Sequence, residues 1–285
     1  MLVLLNMFYR TFRREAVTII FKAVITIVSI IFVFAFIDSW YNIETVSDGS
    51  CNIAVLPIEG VILPFNGFDD YPLVITPGTV RDFVSKAEDD INIKGLLLEI
   101  NSPGGTPVAA EQISNYISNS SLPTVSLIGD VGASGAYLVA ASSDTVIASA
   151  MSDVGSIGVT MSYLENTGKN EEEGISFVEL TSGKFKEAGN PNRELSEEER
   201  ALFEADLKIV HDEFVRQIAV YRNKSVEEIQ VLADGSSMPG IKALEKGLID
   251  QIGNRTSVKE AFSAKLGLSV EEIVFCEYSL ETIFY

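Results

Sequence analysis

A single serine among small residues is the first candidate for chemistry in this sequence. Ser134 lies within residues 129–138 (GDVGASGAYL), directly before an apolar run that is compatible with a helix. Glycine and alanine neighbours allow the backbone to turn sharply and a substrate to approach it closely. A serine at the first turn of a helix also meets the positive end of the helix dipole. The pattern permits a nucleophilic Ser134, although a packed turn without chemistry has the same composition.

A serine nucleophile needs a general base, which is usually a histidine. The only histidine, His211, lies within an amphipathic stretch between Val210 and Asp212, so we expect it to have a role on the helix surface. The hydrolase motif G-x-S-x-G is also incomplete, because Ala136 occupies the position of its last glycine. A Ser-His-Asp triad is therefore disfavoured, and a serine with a lysine base remains.

Two lysines in residues 180–189 (LTSGKFKEAG) are candidates for that base. Lys184 and Lys186 point the same way if the segment is extended. A lysine amine in water holds its proton at pH 7, so a catalytic lysine requires a partly apolar pocket or hydrogen bonds to the neutral amine. For either lysine read alone, a solvated surface charge is the alternative.

The composition excludes several classes of protein. The chain of 285 residues has a formal net charge of −19, which argues against a nucleic-acid partner because the phosphate-neutralising basic face is missing. One histidine and two distant cysteines do not form a zinc site. Neither a G-x-x-x-x-G-K-[ST] nor a G-x-G-x-x-G motif occurs. We therefore expect no metal and no cofactor.

Apolar strands alternate with helices through the first half of the body. The predicted strands lie in residues 52–63, 93–100, 123–129 and 144–148, and the helices in 80–87, 107–118 and 135–142. This alternation predicts an α/β fold with a mainly parallel sheet. Because loops at the carboxyl ends of parallel strands share one edge, Gly104, Gly105 and Ser134 should lie there together.

The last third of the chain is more helical and more polar. Capping-box patterns begin at Ser196, Ser225 and Ser257, and each predicts the start of a helix. After Ser196, apolar residues follow steps of three and four, which is typical of an amphipathic helix. They are Phe203, Leu207, Val210, Phe214, Ile218 and Tyr221.

Residues 16–37 are almost all apolar, and Lys22 is their one charged residue. A helix of this length measures roughly 33 Å, enough to cross a hydrocarbon core. Arginines at positions 10, 13 and 14 precede the segment and acidic residues follow it, so the positive-inside rule places the N-terminus in the cytoplasm. We expect an uncleaved signal anchor in contact with membrane lipid; a cleaved signal peptide is the alternative.

The predicted organisation has four parts: a cytoplasmic N-terminus (residues 1–15), a transmembrane signal anchor (16–37), a linker (38–51) and an extracytosolic body (52–285). In an oxidising compartment outside the cytoplasm, Cys51 and Cys276 could form a disulfide. Two free, buried thiols are the alternative, because a bond requires the Cα atoms to lie within about 7 Å.

Six short motifs occur in the order seen in the signal peptide peptidase A (SppA) family. They are NSPGG at 101–105, GASGAY at 132–137, GSIGV at 155–159, SGKFK at 182–186 with Pro191 and Arg193 after it, ADG at 233–235 and GLID at 247–250. The match extends over about residues 52–265, nearly the whole body. The chain therefore resembles the SppA family of membrane-bound serine endopeptidases.

The resemblance implies a Clp-protease/crotonase-like fold and a Ser-Lys dyad. Ser134 matches the family's nucleophile, and Lys186, rather than Lys184, matches its general base. Ser156 matches a serine that orients the lysine amine by hydrogen bonding. The backbone amides of Gly105 and Gly135 would form the oxyanion hole.

The resemblance also implies a ring-shaped homo-oligomer in which the serine and the lysine come from neighbouring subunits. The expected substrates are remnant signal peptides and other membrane-embedded or unfolded chains. The expected location is the bacterial inner membrane, with a single span and with the peptidase domain (residues 52–285) in the periplasm or outside the cell.

Three positions depart from the family pattern. Ala136 replaces a usual glycine, and we expect its methyl group to narrow the approach of the substrate backbone. Val154 replaces a usual threonine, and Ser236 replaces a frequent arginine. A catalytically silent membrane scaffold with the same fold is therefore an alternative function. A crotonase-like acyl-CoA enzyme is a third, disfavoured by the membrane anchor and by the context of Lys186.

Overall fold

The structure is a computed structural model that describes residues 17, 20–33, 46–65 and 73–276. The chain divides into two compact units, Met1–Thr45 and Val46–Tyr285. In the first unit, residues 20–33 form helix α1. Within the described part of the chain, no helix combines the length and apolarity needed to span a membrane. Residues 1–15, the ends of the predicted span and most of the predicted linker lie outside the described residues.

A single sheet forms the centre of the second unit. Its nine described strands are β1 (Ile53–Ile62), β2 (Val74–Ile75), β3 (Gly95–Gly105), β4 (Thr124–Ala133), β5 (Thr145–Ala148), β6 (Asp153–Gly155), β7 (Ser237–Pro239), β8 (Gln251–Ile252) and β9 (Phe275–Cys276). The order β2-β1-β3-β4-β5-β8 is parallel throughout. Strand β9 pairs with β1 in parallel, and β6 lies between β4 and an antiparallel β7. The predicted mainly parallel sheet is confirmed.

Helices cover both faces of this sheet. They are α2 (Pro77–Asp89), α3 (Pro107–Ser118), α4 (Gly135–Ala141), α5 (Thr167–Glu172), α6 (Glu197–Tyr221), α7 (Val226–Gln230), α8 (Gly240–Glu245) and α9 (Arg255–Leu266), followed by a 3₁₀ turn at Val270–Glu272. Alternate residues of β1 enter two clusters: Leu56 packs with α2, α3, α4 and α6, whereas Val55 packs with α9. Strands buried on both faces explain the continuous apolar runs in the sequence.

The predicted helix starts at Ser196 and Ser225 are confirmed, since both residues complete capping boxes. The predicted start at Ser257 is wrong. Helix α9 begins earlier, because the side chain of Asn254 caps it by accepting a hydrogen bond from the Thr256 amide (2.9 Å). Ser257 is therefore already inside the helix.

Cys51 and Cys276 form a disulfide, with their Cα atoms 5.1 Å apart. The bond connects the chain just before β1 with the end of β9, across 225 residues of sequence. Of the two alternatives that the sequence left open, the structure has the bonded one.

Candidate active site

Ser134 occupies the turn between β4 and α4. Its backbone has φ 52° and ψ −126°, a positive-φ conformation that residues with a β-carbon seldom adopt. The Ser134 amide donates to the carbonyl of Gly155 (2.8 Å), and the Ser134 carbonyl accepts from the amide of Tyr137 (2.9 Å). Such strain costs about 1–3 kcal/mol and persists only where the surroundings fix it, as at active sites. The half-buried Ser134 is therefore held at a defined position.

The glycines after β3 pack directly against this serine. Gly104 has φ +96°, and a β-carbon there would lie 2.7 Å from the amide nitrogen of Gly135 and 3.0 Å from Cβ of Ser134. A β-carbon on Gly135 would lie 3.5 Å from the amide nitrogen of Gly105. At position 104 only glycine permits this close approach, whereas the 3.5 Å distance at Gly135 shows that the two glycine backbones are in ordinary contact. The structure thus brings Ser134, Gly105 and Gly135 together, as the sequence predicts.

Ser156 lies at the next strand end. Strands β4 and β6 pair with Ala133 opposite Gly155, so Ser134 and Ser156 are the residues that directly follow a paired position. Ser156 has φ 51°, nearly the value of Ser134. Its hydroxyl donates to the carbonyl of Gly235 (3.2 Å), and its amide donates to the carbonyl of Ser236 (3.0 Å). Two neighbouring strands are therefore each followed by a serine with an unusual positive φ.

A mostly apolar cavity of about 460 Å³ adjoins Ser134. Ser134, Gly105 and Gly135 line it together with side chains of α3 and α6. The apolar part of the lining includes Pro107, Val108, Ala110, Leu138, Val159, Ile209, Val210 and Phe214. A concave apolar site beside a serine is suited to an apolar side chain of a peptide.

Further polar side chains line this cavity, among them Glu111, Glu213 and Gln217. The Gln217 amide donates to Glu111 (2.7 Å) and to Glu213 (2.9 Å). Hydrogen bonds from Arg216 and Gln217 hold the pKa of Glu213 down to about 2. The cavity therefore keeps a carboxylate charge on its wall at neutral pH.

The expectation for Ala136 is wrong. Ala136 is completely buried in the hydrophobic core, and it is not among the described residues that line the cavity. Its methyl group packs in the hydrophobic core and does not narrow the approach to Ser134. Val154 is likewise buried, and Ser236 contributes the carbonyl that accepts the hydrogen bond from the Ser156 amide.

Lys186 lies apart from the serine cavity. It belongs to a turn in which its amide donates to the carbonyl of Gly183 (3.1 Å), and its side chain is exposed. Among the described residues, Lys186 does not line the cavity, and no hydrogen bond or ion pair engages its amine. Lys184, by contrast, forms an ion pair with Glu198 (2.6 Å). Within one chain, the structure does not bring Lys186 to the cavity of Ser134.

His211 is on α6, as predicted, and it does not line the cavity in the described part of the chain. Its Nε2–H donates to the carbonyl of Ala233 (3.0 Å), which attaches α6 to the loop after α7. What the sequence interpretation missed is the part that α6 contributes to the cavity. Ile209, Val210 and Phe214 read as an ordinary apolar stripe, and no signal in the sequence separates a cavity wall from a core.

Residues 117–269 match the family model of Peptidase family S49. This chain belongs to peptidase family S49. The matched region contains Ser134, Ser156 and Lys186, and membership confirms the predicted relation to SppA. The family is one of peptidases. The mainly parallel sheet with helices on both faces fits the Clp-protease-like fold that the resemblance implies.

Named relatives agree with the family. A proposed protease of Methanocaldococcus jannaschii is 33% identical over 196 residues, which cover 68% of the S49 chain and 62% of the relative. A proposed signal peptide peptidase SppA of Enterococcus faecium is 32% identical over 202 residues (70% and 58%). The chloroplastic serine protease SPPA of Arabidopsis thaliana is 28% identical over 214 residues (72% and 31%). The chain spans about three fifths of the length of the first two relatives.

Proposed function

We propose that the protein is a serine endopeptidase in which Ser134 is the nucleophile and Lys186 the general base. The observation that carries the proposal is the placement of Ser134. It is held in a positive-φ conformation, beside the backbone of Gly105 and Gly135, at the wall of a mostly apolar cavity of about 460 Å³. This combination offers a nucleophile, two amide donors and space for a substrate side chain.

In the proposed reaction, Oγ of Ser134 attacks the scissile carbonyl carbon while Nζ of Lys186 takes the hydroxyl proton. The amides of Gly105 and Gly135 donate to the resulting oxyanion. Collapse of the tetrahedral intermediate breaks the C–N bond, and Lys186 returns the proton to the leaving amine. Water then hydrolyses the acyl-enzyme, with Lys186 as the base again.

We further propose that Lys186 reaches Ser134 from a neighbouring copy in a ring-shaped homo-oligomer, where Ser156 orients its amine. The exposed position of Lys186 away from the serine cavity supports this arrangement. Large apolar side chains of residues 161–185, the stretch that leads to Lys186, are also exposed, as is typical of a surface that another protein covers. They are Met161, Leu164, Ile175, Phe177, Val178, Leu180 and Phe185.

The substrates that we propose are remnant signal peptides and other apolar or unfolded chains. The apolar cavity lining supports this class. Residues 16–37 would anchor the protein in a bacterial cell membrane, with the N-terminus in the cytoplasm and the peptidase domain, residues 52–285, outside it. The disulfide between Cys51 and Cys276 supports an oxidising location, because thiols stay reduced in the cytosol.

Labelling with a fluorophosphonate probe tests the enzyme against the silent scaffold. We expect the wild type to be labelled and to hydrolyse an apolar peptide, and Ser134→Ala to do neither. Ser142→Ala is the matched control, because it removes a hydroxyl at the other end of α4, where it donates to the carbonyl of Val139. Labelling or hydrolysis by Ser134→Ala at the wild-type level would refute the proposal.

A further inference from the structure

One arginine, Arg193, holds residues 176–190, the lysine segment, which carries Lys186. Arg193 donates from Nη1 and Nη2 to the two carboxylate oxygens of Glu199, at 2.9 and 2.6 Å. This is the two-pronged geometry in which a guanidinium binds a carboxylate most strongly. The Glu199 side chain is only 4% exposed. The pair is therefore a well-ordered contact rather than a loose surface ion pair.

Glu199 is itself fixed at the start of α6. It accepts hydrogen bonds from the Ser196 amide (3.0 Å) and hydroxyl (3.0 Å), and so completes the capping box of this 25-residue helix. The hydrogen bonds from Arg193 and Ser196 hold the pKa of Glu199 down to about 2. Arg193 is thus attached to the first turn of a long helix whose later residues line the serine cavity.

The remaining N–H groups of Arg193 form hydrogen bonds on both sides of Lys186 in the lysine segment. Nη2 also donates to the carbonyl of Glu187 (3.0 Å), the residue after Lys186, and Nε donates to Glu179 (2.9 Å). Nη1 also donates to the carbonyl of Glu194 (3.3 Å). A guanidinium has five N–H donors in fixed directions, and these contacts use all of them. A lysine, with three donors on a flexible stem, cannot reproduce the arrangement.

We propose that Arg193 is a positioning residue. It holds the backbone beside Lys186 in the place and orientation from which the lysine amine acts as the general base for Ser134. Residues 176–190 contain no helix or strand, so side-chain contacts such as those of Arg193 and the ion pair of Lys184 with Glu198 fix the backbone around the lysine. The inference rests on the proposed function of Lys186. It assigns Arg193 no contact with the substrate.

Arg193→Lys tests the role, with Arg222→Lys as the matched control. Arg222 caps the opposite end of α6, donates to both oxygens of Asp250 (3.0 and 2.7 Å) and to the carbonyl of Gly247 (3.2 Å), and does not contact the lysine segment. For Arg193→Lys we expect kcat to fall by about 10- to 100-fold with KM within about twofold, because a small misplacement of a catalytic group carries such a penalty. For Arg222→Lys we expect the thermal midpoint to fall while kcat stays within about threefold of the wild type.

Hydrogen exchange gives a readout that does not depend on catalysis. Amides of residues 183–190 should exchange faster in Arg193→Lys than in the wild type. In Arg222→Lys their exchange rates should equal those of the wild type. If Arg193→Lys does not fold, Glu199→Gln serves instead, since it keeps an acceptor for the Ser196 amide but loses the two-pronged pair. Unchanged exchange, or a kcat no lower than in Arg222→Lys, would overturn the positioning role. Failure of the proposed function appears differently: wild type and Ser134→Ala would then show the same lack of hydrolysis.

Discussion

The serine and the lysine lie in regions of opposite character. Ser134 is enclosed by β3, β4, β6 and α4, where strand pairing and buried side chains determine each neighbour. Lys186 lies between β6 and α6, in a long stretch whose one described helix is the six-residue α5. The region of Ser134 can impose backbone strain on the serine, because strain persists only where the surrounding packing fixes the conformation. The region of Lys186 presents apolar and charged side chains of both signs to the solvent.

This difference has a chemical meaning. A lysine amine in water keeps its proton and is a poor base, so an exposed lysine becomes useful only when another surface covers it. Under the proposed function, the serine half of the site is complete in each chain, whereas the lysine half is completed by assembly.

The largest contrast is expected for alanine substitutions of two glycines. Gly104→Ala should reduce hydrolysis by about 100-fold or more and destabilise the fold by about 3 kcal/mol, since its β-carbon would meet the Gly135 nitrogen at 2.7 Å and φ is +96°. At Gly183 of the lysine segment, a β-carbon would meet no atom within 4 Å. Gly183→Ala should therefore leave the free energy of unfolding within about 0.5 kcal/mol. Urea unfolding and peptide hydrolysis measure both effects, and equal losses would erase the contrast.

Removal of the disulfide should weaken the sheet that holds the serine. We expect the double substitution Cys51→Ser and Cys276→Ser to lower the free energy of unfolding by about 2–4 kcal/mol, because the bond closes a very long loop in the unfolded chain. A reducing agent should lower the thermal midpoint of the wild type and leave that of the double variant unchanged. If the reducing agent left the thermal midpoint of the wild type unchanged, the disulfide would add no stability.

Relief of strain at Ser134 should stabilise the protein and inactivate it. Ser134→Gly is expected to raise the free energy of unfolding by about 1 kcal/mol, since glycine adopts positive φ without a steric penalty. Ser134→Ala keeps the β-carbon and should give no such gain. Ser182→Gly in the lysine segment, where φ is not positive, should also give none. A denaturant titration that ranks the three variants differently would argue against strain at Ser134.

The smallest effect is expected from acid at the ion pair of Arg193 and Glu199. The folded-state pKa of Glu199 is about 2, below its ordinary value of 4.5, so its contacts stabilise the fold above pH 4.5. That stabilisation should be lost as the pH falls from 4.5 to about 2. The stability difference between the wild type and Glu199→Gln should therefore shrink over this window, as measured by urea unfolding. A constant difference would show that the charge of Glu199 does not stabilise the fold.

The sequence predicted the serine region more fully than the lysine region, for physical reasons. Helix α3 has the predicted bounds 107–118, and Gly105 and Ser134 fall together because parallel strands align their carboxyl ends. The cavity wall on α6 could not be predicted, since Val210 and Phe214 follow the same spacing as core residues. Arg193 appeared only as part of a motif, because nothing local in the sequence shows which carboxylate a guanidinium will meet.

The pairing of Ser134 and Lys186 across two copies is tested most directly by mixing two inactive proteins. Ser134→Ala and Lys186→Ala, co-expressed at equal levels with different affinity tags, should co-purify and regain about one quarter of wild-type hydrolysis. The fraction follows because a random ring places an intact serine beside an intact lysine at about one site in four. Co-purified mixed assemblies that remain as inactive as either variant alone would contradict the account.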